Sequence, residues 1–185
     1  MTLSRERVVD TAVAVLSRYG LADLSMRRLA RELGVQPGAL YWHVASKQEL
    51  LVEVADRLLR QRVAAPQSQD PAAAVRALAV AIRAALLRVP DSADVVALAY
   101  AVDPGSVEPL RELSRLLRRL GVAGARLDAA TQLLVHHILG SVTAEQNRRQ
   151  ASASDPGPVA DAGPGALAAF ELGLDVILDG LRPPP

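Results

Sequence analysis

The sequence predicts an all-α protein of about nine helices, and three observations lead to this fold class. Half of the residues are hydrophobic but only 3% are aromatic, so the core must consist mainly of Leu, Ala and Val. Such a composition suits packed helices better than sheets. Apolar residues also recur at three- and four-residue spacing in one segment after another, which is typical of amphipathic helices. Finally, no segment alternates as a convincing strand, and no internal repeat is visible.

Composition and charge narrow the class of protein further. At 185 residues the chain is long enough for one sizeable core or two small domains. The absence of cysteine excludes disulfides and thiolate metal sites. No apolar run reaches the ~18 residues of a membrane span, and the first segment lacks a signal cleavage site. These features predict a soluble, cytoplasmic protein with no membrane partner.

The net charge of +1 is distributed unevenly along the chain. Residues 1–62 hold ten Arg or Lys against seven Asp or Glu, whereas residues 63–185 hold eleven against thirteen. An anionic partner is therefore expected to meet the N-terminal third.

Local signals in the first third indicate a helix-turn-helix. Ser4 is a suitable N-cap for a helix over 4–19, which Gly20 ends, and Ser25 is a suitable N-cap for a second helix. Gly34 ends that helix in the left-handed conformation, and Pro37 suits the first turn of the next one. Two short helices joined by a glycine-containing turn of three or four residues form this motif.

Capping residues and prolines divide the rest of the chain. The "SKQE" stretch from Ser46 is a capping box that opens a fourth helix to about Val63. An Asp-Pro pair starts a fifth helix over about 70–89, and Pro90 ends it. Further helices are predicted over about 92–102 (capped by Asp91 or Ser92), about 107–120 (capped by Ser106), roughly 125–149, and in the final "ALAAFELGLDVILDGL". The "SASDPGPVADAGPG" stretch is predicted to be mobile. The predicted division is 1–46, a connecting helix 47–63, and 64–185 with a mobile loop at 151–165.

The stretch "PGALYWHV" gathers ring-bearing side chains in a chain that has few of them. A helix-turn-helix places its second helix in the major groove, so Tyr41 and His43 are expected to donate hydrogen bonds to phosphates or base edges. Gly38 and Ala39 are small enough to let the backbone approach DNA, and Lys47 adds a cation at a helix N-terminus. Trp42 is expected to form a wedge between helices or against a sugar, and packing in the core is an equal alternative.

The charged and titratable neighbours of this stretch do not by themselves define a site. The Arg27, Arg28 and Arg31 group is equally consistent with a solvated helix face. His43 is not expected to hold a metal, because no second histidine or cysteine lies at ligand spacing.

The stretch "LSMRRLARELGVQPGALYWHVASKQELL" (Leu24 to Leu51) resembles the DNA-binding segment of the tetracycline-repressor (TetR) family, and the resemblance covers nearly all of residues 4–62. It implies an N-terminal three-helix DNA-binding domain and a C-terminal helical domain for ligand binding and dimerisation. It also implies a homodimeric regulator, by family habit a repressor, that binds a palindromic double-stranded operator and is released by a small-molecule effector. By the same resemblance Ser25 lies near a phosphate, and the DNA-contacting positions are Arg27, Pro37, Gly38, Ala39, Tyr41, His43 and Lys47.

The last two predicted helices resemble the pair with which close relatives of that repressor build a four-helix dimer bundle. Their apolar spacing suits packing across a two-fold axis. The residues expected at the dimer interface are Leu134, Ile138, Phe170, Leu174, Ile177 and Leu178. Packing within the core of one chain is the alternative.

Few polar residues are available to orient an effector in an apolar cavity between helices five and eight. The candidates are Tyr100, Thr131, Gln132, His136 and His137. Because adjacent helical residues point about 100° apart, at most one histidine is expected to face any given cavity. One of the two histidines is expected to contact either the effector or the dimer partner, and a structural hydrogen bond is an equal alternative.

Catalysis is not expected, and neither is a cofactor or a metal. The chain lacks H-E-x-x-H, a Glu-x-x-His pair, a glycine-rich phosphate loop and a nucleophile elbow. A helical adaptor that binds a protein is the remaining rival class. The sequence leaves open the operator, the regulated genes and the effector.

Overall fold

The computed structural model describes residues 3–154 and 164–181, and the regular secondary structure of that part of the chain is entirely helical, with no strand. It contains α1 (Arg5–Tyr19), α2 (Met26–Leu33), α3 (Pro37–Leu40), α4 (Lys47–Arg60), α5 (Pro71–Leu86), α6 (Ser92–Val102), α7 (Glu108–Arg119), α8 (Ala125–Ser154) and α9 (Pro164–Leu181). The all-α fold class is therefore confirmed.

Serine caps fix the starts of the first helices as the sequence predicts. The hydroxyl oxygens of Ser4, Ser25 and Ser46 accept hydrogen bonds from backbone N–H groups three residues later, at 3.2, 3.2 and 3.1 Å. Gly34 ends α2 at φ 68° and ψ 33°, and Pro37 is the first residue of α3. Each of these signals is local, so it needs no knowledge of the tertiary fold.

Several helix ends differ from the prediction. The fourth helix stops at Arg60 and the fifth at Leu86, each three residues early, because backbone hydrogen bonds that span three residues instead of four follow these ends. Ser106 does not cap α7, since its hydroxyl donates to the Asp103 carbonyl instead. The eighth helix extends to Ser154 and the ninth begins at Pro164, so both ends of the segment predicted to be mobile, 151–154 and 164–165, are helical. The remainder of that prediction, 155–163, lies outside the described residues.

The fourth helix joins the two halves of the molecule. It packs against α1 on one side and against α6 and α7 on the other. Val54, Leu58 and Leu59 of its apolar stripe are at most 1% exposed. A displacement of α6 or α7 would therefore act directly on α4. Because α4 begins at the end of the helix-turn-helix, it connects these helices to that motif. The domain boundaries at 46/47 and 63/64 stay predictions.

A second contact between the halves involves Asp91, which does not cap α6 with its side chain as predicted. Asp91 takes the left-handed conformation (φ 54°), and its carboxylate accepts a hydrogen bond of 2.8 Å from the backbone N–H of Leu21. The turn after α1 is thereby held to the turn before α6. Gly20 fits closely beside this contact, because a Cβ there would lie 2.5 Å from the Asp91 Oδ2.

Replacing Gly20 with alanine is expected to lower the free energy of unfolding by about 1–3 kcal/mol. The residue has φ 78° and ψ −179°, a conformation open essentially only to glycine, and the new methyl group would also push Asp91 away from Leu21. Urea denaturation measures the change. Gly34→Ala is the matched control, since a Cβ there meets nothing within 4 Å and only the left-handed φ is strained, at about 1 kcal/mol. An equal loss in both variants would contradict the role of the Asp91 contact.

Within the described ranges, none of the helices combines the length with the apolar character that a membrane crossing requires.

Candidate nucleic-acid interface and effector cavities

Two buried side chains anchor the segment that carries the ring-bearing residues. Leu40 and Val44 are at most 1% exposed, whereas Tyr41 between them is 53% exposed and Trp42 is 89% exposed. Packing of Trp42 in the core or between helices is therefore wrong, and its contact with a sugar stays a prediction. Large apolar rings in water are costly, and rings held outward on buried anchors are typical of a binding surface. We call residues 37–47 the reading segment.

The DNA-contact candidates all reach the protein surface, to different degrees. Six are exposed and two are partly buried, namely Ser25, Arg27, Pro37, Gly38, Tyr41 and Lys47 in the first group and Ala39 and His43 in the second. A Cβ at Gly38 would meet no atom within 4 Å, so the fold itself does not require glycine there. Their roles toward DNA stay predictions.

The arginines of α2 divide into two kinds. Arg28 is structural, because it donates to Asp23 at 2.6 Å and its guanidinium lies 3.8 Å from the centre of the Tyr19 ring. Arg27 and Arg31 are exposed and make no ion pair within the described residues. Together with Ser25 they line a shallow depression of about 220 Å³ at the start of α2. Its backbone N–H groups and cations suit a phosphate.

A first cavity, of about 430 Å³, lies between α6, α7 and α8. Three of the five effector candidates, Tyr100, Thr131 and Gln132, line it with Arg111 and Asp128. Burial raises the pKa of the Tyr100 phenol, and the nearby Asp128 carboxylate raises it further. The phenol therefore stays neutral and keeps its donor at physiological pH.

A second cavity, of about 390 Å³, lies between α5, α8 and α9 and is lined by both His136 and His137. The expectation that at most one histidine faces a given cavity is wrong, because this cavity is a wide groove that spans two positions of the helix. His137 makes a structural contact, as the alternative interpretation predicts. Its ring stacks on Phe170 with centroids 4.8 Å apart, and its Nε2 lies 2.9 Å from the Phe170 carbonyl oxygen.

Sequence reasoning missed a buried ion pair beside this second cavity. Arg83 of α5 and Glu145 of α8 are 7% and 4% exposed, and the guanidinium donates to the carboxylate. Arg83 also donates to the Ser141 hydroxyl at 3.2 Å, and Arg149 donates to Glu145. The available signal was an arginine inside the apolar stripe of α5, opposite a polar stripe in the apolar part of α8.

The residues predicted to form the dimer interface lie instead in the core of the single chain. Five of the six are at most 3% exposed in a single chain and the sixth is partly buried: Leu134, Ile138, Phe170, Leu174 and Leu178, and then Ile177. They form the core between α8, α9 and the rest of the protomer. Apolar spacing marks the buried face of a helix but does not say whether the same chain or a second chain covers it.

Other apolar side chains of the last two helices are exposed. Leu133 of α8 is 51% exposed, and Leu172 and Val176 of α9 are 65% and 66% exposed. Large exposed apolar residues of this kind mark a surface for another protein chain.

In residues 3–154 and 164–181, no three His, Cys, Asp or Glu side chains come together as a possible metal site.

The fold and the reading segment together define a helix-turn-helix DNA-binding protein with a helical C-terminal domain. Residues 8–54 match the family model of bacterial regulatory proteins, tetR family. Residues 65–163 match the model of the tetracyclin repressor-like C-terminal domain. The chain therefore belongs to the TetR family of dimeric transcription regulators, which bind DNA and are not enzymes.

Individual relatives agree over nearly the whole chain. The tetracycline repressor protein class C of Escherichia coli is 31% identical, and the match covers 97% of this chain and 91% of the relative. The crystal structure of Mycobacterium smegmatis BioQ has a TM-score of 0.83 at 38% identity, covering 97% and 98% of the two chains. BioQ with its natural double-stranded DNA operator has a TM-score of 0.80 at 37% identity, with the same coverage. A TetR variant from Acinetobacter baumannii AYE, in complex with minocycline, has a TM-score of 0.78 at 30% identity, covering 99% and 100%.

Proposed function

We propose that this protein is a homodimeric repressor that binds a palindromic DNA operator through the reading segment and leaves it when a small molecule binds. The observation that carries the proposal is the pair of exposed rings, Tyr41 and Trp42, held on the buried anchors Leu40 and Val44. The structure of the similar BioQ with its operator supports the choice of DNA over a protein partner. Binding to operator DNA places its action in the cytoplasm, and no resident cofactor is required.

The reading segment and the start of α2 divide the DNA contacts between them. Tyr41 and His43 contact phosphates or base edges, and Gly38 and Ala39 let the backbone approach the bases, where the Ala39 methyl group can touch a thymine methyl. Lys47 lies at the N-terminus of α4, where its ammonium and the helix dipole attract a phosphate. The depression beside Ser25 holds another phosphate.

The dimer forms through the exposed faces of α8 and α9. On α8 the exposed positions Ala129, Leu133, His136 and Gly140 follow each other at spacings of four, three and four. On α9 the exposed Ala169, Leu172 and Val176 are three and four apart. This is the spacing of a helix-packing seam, and the small residues allow close approach across a two-fold axis.

The first cavity, between α6, α7 and α8, is the better site for the effector. The second cavity shares His136, Gly140 and Ala169 with the proposed dimer seam, so a partner chain covers part of it. Because Tyr100 belongs to α6, an effector in the first cavity contacts α6 directly. The same helix packs against α4 and begins beside Asp91. The similar TetR variant of Acinetobacter baumannii binds minocycline, which supports a small organic molecule as the ligand class.

Effector binding then changes the distance between the two reading segments of a dimer. A palindrome requires recognition helices about 34 Å apart, or a multiple of that distance. An effector that moves α6 shifts α4 and the turn at Leu21 with it. A coupling free energy of about 1–3 kcal/mol is typical of such systems.

Exchanging Tyr41 and Lys47 together for alanine is expected to weaken DNA binding on all sequences while the dimer stays intact. Both side chains are exposed and make no hydrogen bond or ion pair within the described residues, so their loss removes phosphate contacts and not folding energy. Electrophoretic titration over a range of salt concentrations measures this. Loss of the Lys47 cation reduces the slope of log affinity against log salt by about 0.9, whereas loss of the uncharged Tyr41 lowers the affinity at every salt concentration.

The control is Arg118→Ala, which removes one exposed positive charge from α7 and should leave the salt slope unchanged. A parent affinity that hardly depends on salt would overturn the DNA function and favour a protein partner. A double variant that binds DNA as tightly as the parent would overturn the assignment of these two residues.

A further inference from the structure

The reading segment is tied to the rest of the protein at its C-terminal end by a small network that starts at Arg5 in α1. The Arg5 guanidinium donates to the His43 carbonyl oxygen at 3.1 Å, to Glu53 at 2.6 Å and to Glu49 at 2.5 Å. One side chain of the first helix therefore holds the end of the reading segment and two carboxylates of α4.

The same network also holds the neighbouring peptide group. The Glu49 carboxylate accepts a hydrogen bond of 2.6 Å from the backbone N–H of Ala45 through its second oxygen. The carbonyl of His43 and the N–H of Ala45 flank the buried Val44 on its two sides. Arg5 and Glu49 thus fix both peptide groups around Val44, and their ion pair closes the ring between them.

The electrostatics of the network favour its closed form. Hydrogen bonds to Glu53 and Glu49 raise the pKa of the Arg5 guanidinium above its usual range. The Ala45 N–H and then Arg5 lower the pKa of Glu49 below its usual range. With its pKa lowered, the Glu49 carboxylate becomes protonated only when the pH falls below the usual range for glutamate. Glu49 is therefore ionised at neutral pH, and the network is intact there.

We propose that Arg5 is a positioning residue for operator recognition, which acts by fixing the peptide groups on both sides of Val44 and with them the side chains of the reading segment. This inference rests on the proposed operator function. Arg5 itself contacts no base. Its effect is geometric, since a displacement of about 1 Å is enough to weaken directional hydrogen bonds to base edges.

A guanidinium suits this task and an ammonium does not. Three acceptors from two chain segments are held at once by the planar fork of donors, whereas a lysine ammonium is a compact point charge on a flexible stem. Arg5→Lys therefore keeps the charge and loses most of the positioning. The network is partly exposed, with Arg5 49% exposed, so its contribution to global stability is small.

The matched control is Arg57→Ala. Arg57 of α4 donates to Asp10 of α1 at 2.6 Å, so it joins the same two helices by an ion pair that does not involve the reading segment. Arg57→Ala and Arg5→Ala change the net charge equally. Glu49→Ala changes it in the opposite direction and, on electrostatics alone, should strengthen DNA binding.

Operator affinity and non-operator affinity are measured for the full-length parent and the four variants. Arg5→Ala, Arg5→Lys and Glu49→Ala are expected to lower operator affinity by about tenfold and to leave the affinity for non-operator DNA within about twofold. Arg57→Ala should lower neither. Equal operator binding by Arg5→Lys and the parent would overturn the proposal, as would an equal loss in Arg57→Ala.

Amide hydrogen exchange of residues 41–45 without DNA separates this inference from the proposed function. Arg5→Ala and Glu49→Ala should speed exchange of the Ala45 N–H, whereas Arg57→Ala should not. Unchanged exchange overturns the positioning role whatever the protein binds. If the parent selects no operator but Arg5→Ala still speeds exchange, the proposed operator function is overturned, and with it the role of Arg5 in operator recognition. Arg5 would then only hold the reading segment in place.

Discussion

Val176→Glu is expected to convert the dimer into monomers and to lower operator affinity by about a hundredfold or more. Val176 is 66% exposed on α9 and is one of the three α9 residues of the proposed seam. A dimer would bury two copies of the new carboxylate, and burying an unpaired charge costs several kcal/mol. A monomer presents only one reading segment to the palindrome, so it loses the second half-site.

Light scattering at a fixed protomer concentration measures the mass, and titration with operator DNA measures the affinity. Leu98→Glu is the matched control, because Leu98 is a 49% exposed apolar residue on α6, outside the seam. That variant should remain a dimer. A dimeric mass for Val176→Glu, together with a monomeric mass for Leu98→Glu, would contradict a dimer interface on α8 and α9.

A charge at Leu174, the buried α9 residue two positions before Val176, has a different expected effect. Leu174 is fully buried in the single chain, so Leu174→Glu should unfold the protomer and not merely separate two folded protomers. Circular dichroism distinguishes a folded monomer, expected for Val176→Glu, from an unfolded chain.

Arg83→Ala is expected to lower the free energy of unfolding by about 3–5 kcal/mol, because removing one partner of a buried ion pair leaves the other charge uncompensated. Glu145 would keep only Arg149, whose side chain is 55% exposed. The loss is a large fraction of the ~5–15 kcal/mol that stabilises a typical domain. Urea denaturation at one protomer concentration measures it, since dimerisation adds to the apparent stability.

Arg76→Ala is the control for this experiment. Arg76 pairs with Asp175 and so joins α5 to α9 on the surface, with both side chains over a third exposed. Its loss should cost about 1 kcal/mol or less. The double variant Arg83→Met with Glu145→Leu should recover most of the lost stability, since neither charge is then left unpaired. Similar losses in Arg83→Ala and Arg76→Ala would contradict the importance of burial.

Local chemistry explains which parts of the fold the sequence predicts well. Serine caps at Ser4, Ser25 and Ser46 and the proline at Pro37 act within one helical turn, so the helix starts follow from neighbouring residues. The helix-turn-helix and its exposed candidates were therefore accessible from the sequence alone, and the resemblance of the "LYWHV" stretch added the family.

The failures concern which surfaces meet in space. The spacing of Leu134, Ile138 and Leu174 correctly marks them as buried, yet it contains no information on which chain covers them. The pairing of Arg83 with Glu145 joins residues 62 positions apart, beyond the reach of any local pattern. The positioning network of Arg5 spans 48 positions for the same reason.

Selection of bound duplexes from sheared genomic DNA of the source organism, with the mass of the recovered complex, tests the central claim most directly. The ligand-free full-length protein is expected to enrich one short palindrome, bound by a dimer or a pair of dimers, with an affinity that falls steeply as salt rises. A folded dimer that enriches no sequence above bulk DNA would contradict the claim that this helix-turn-helix recognises an operator.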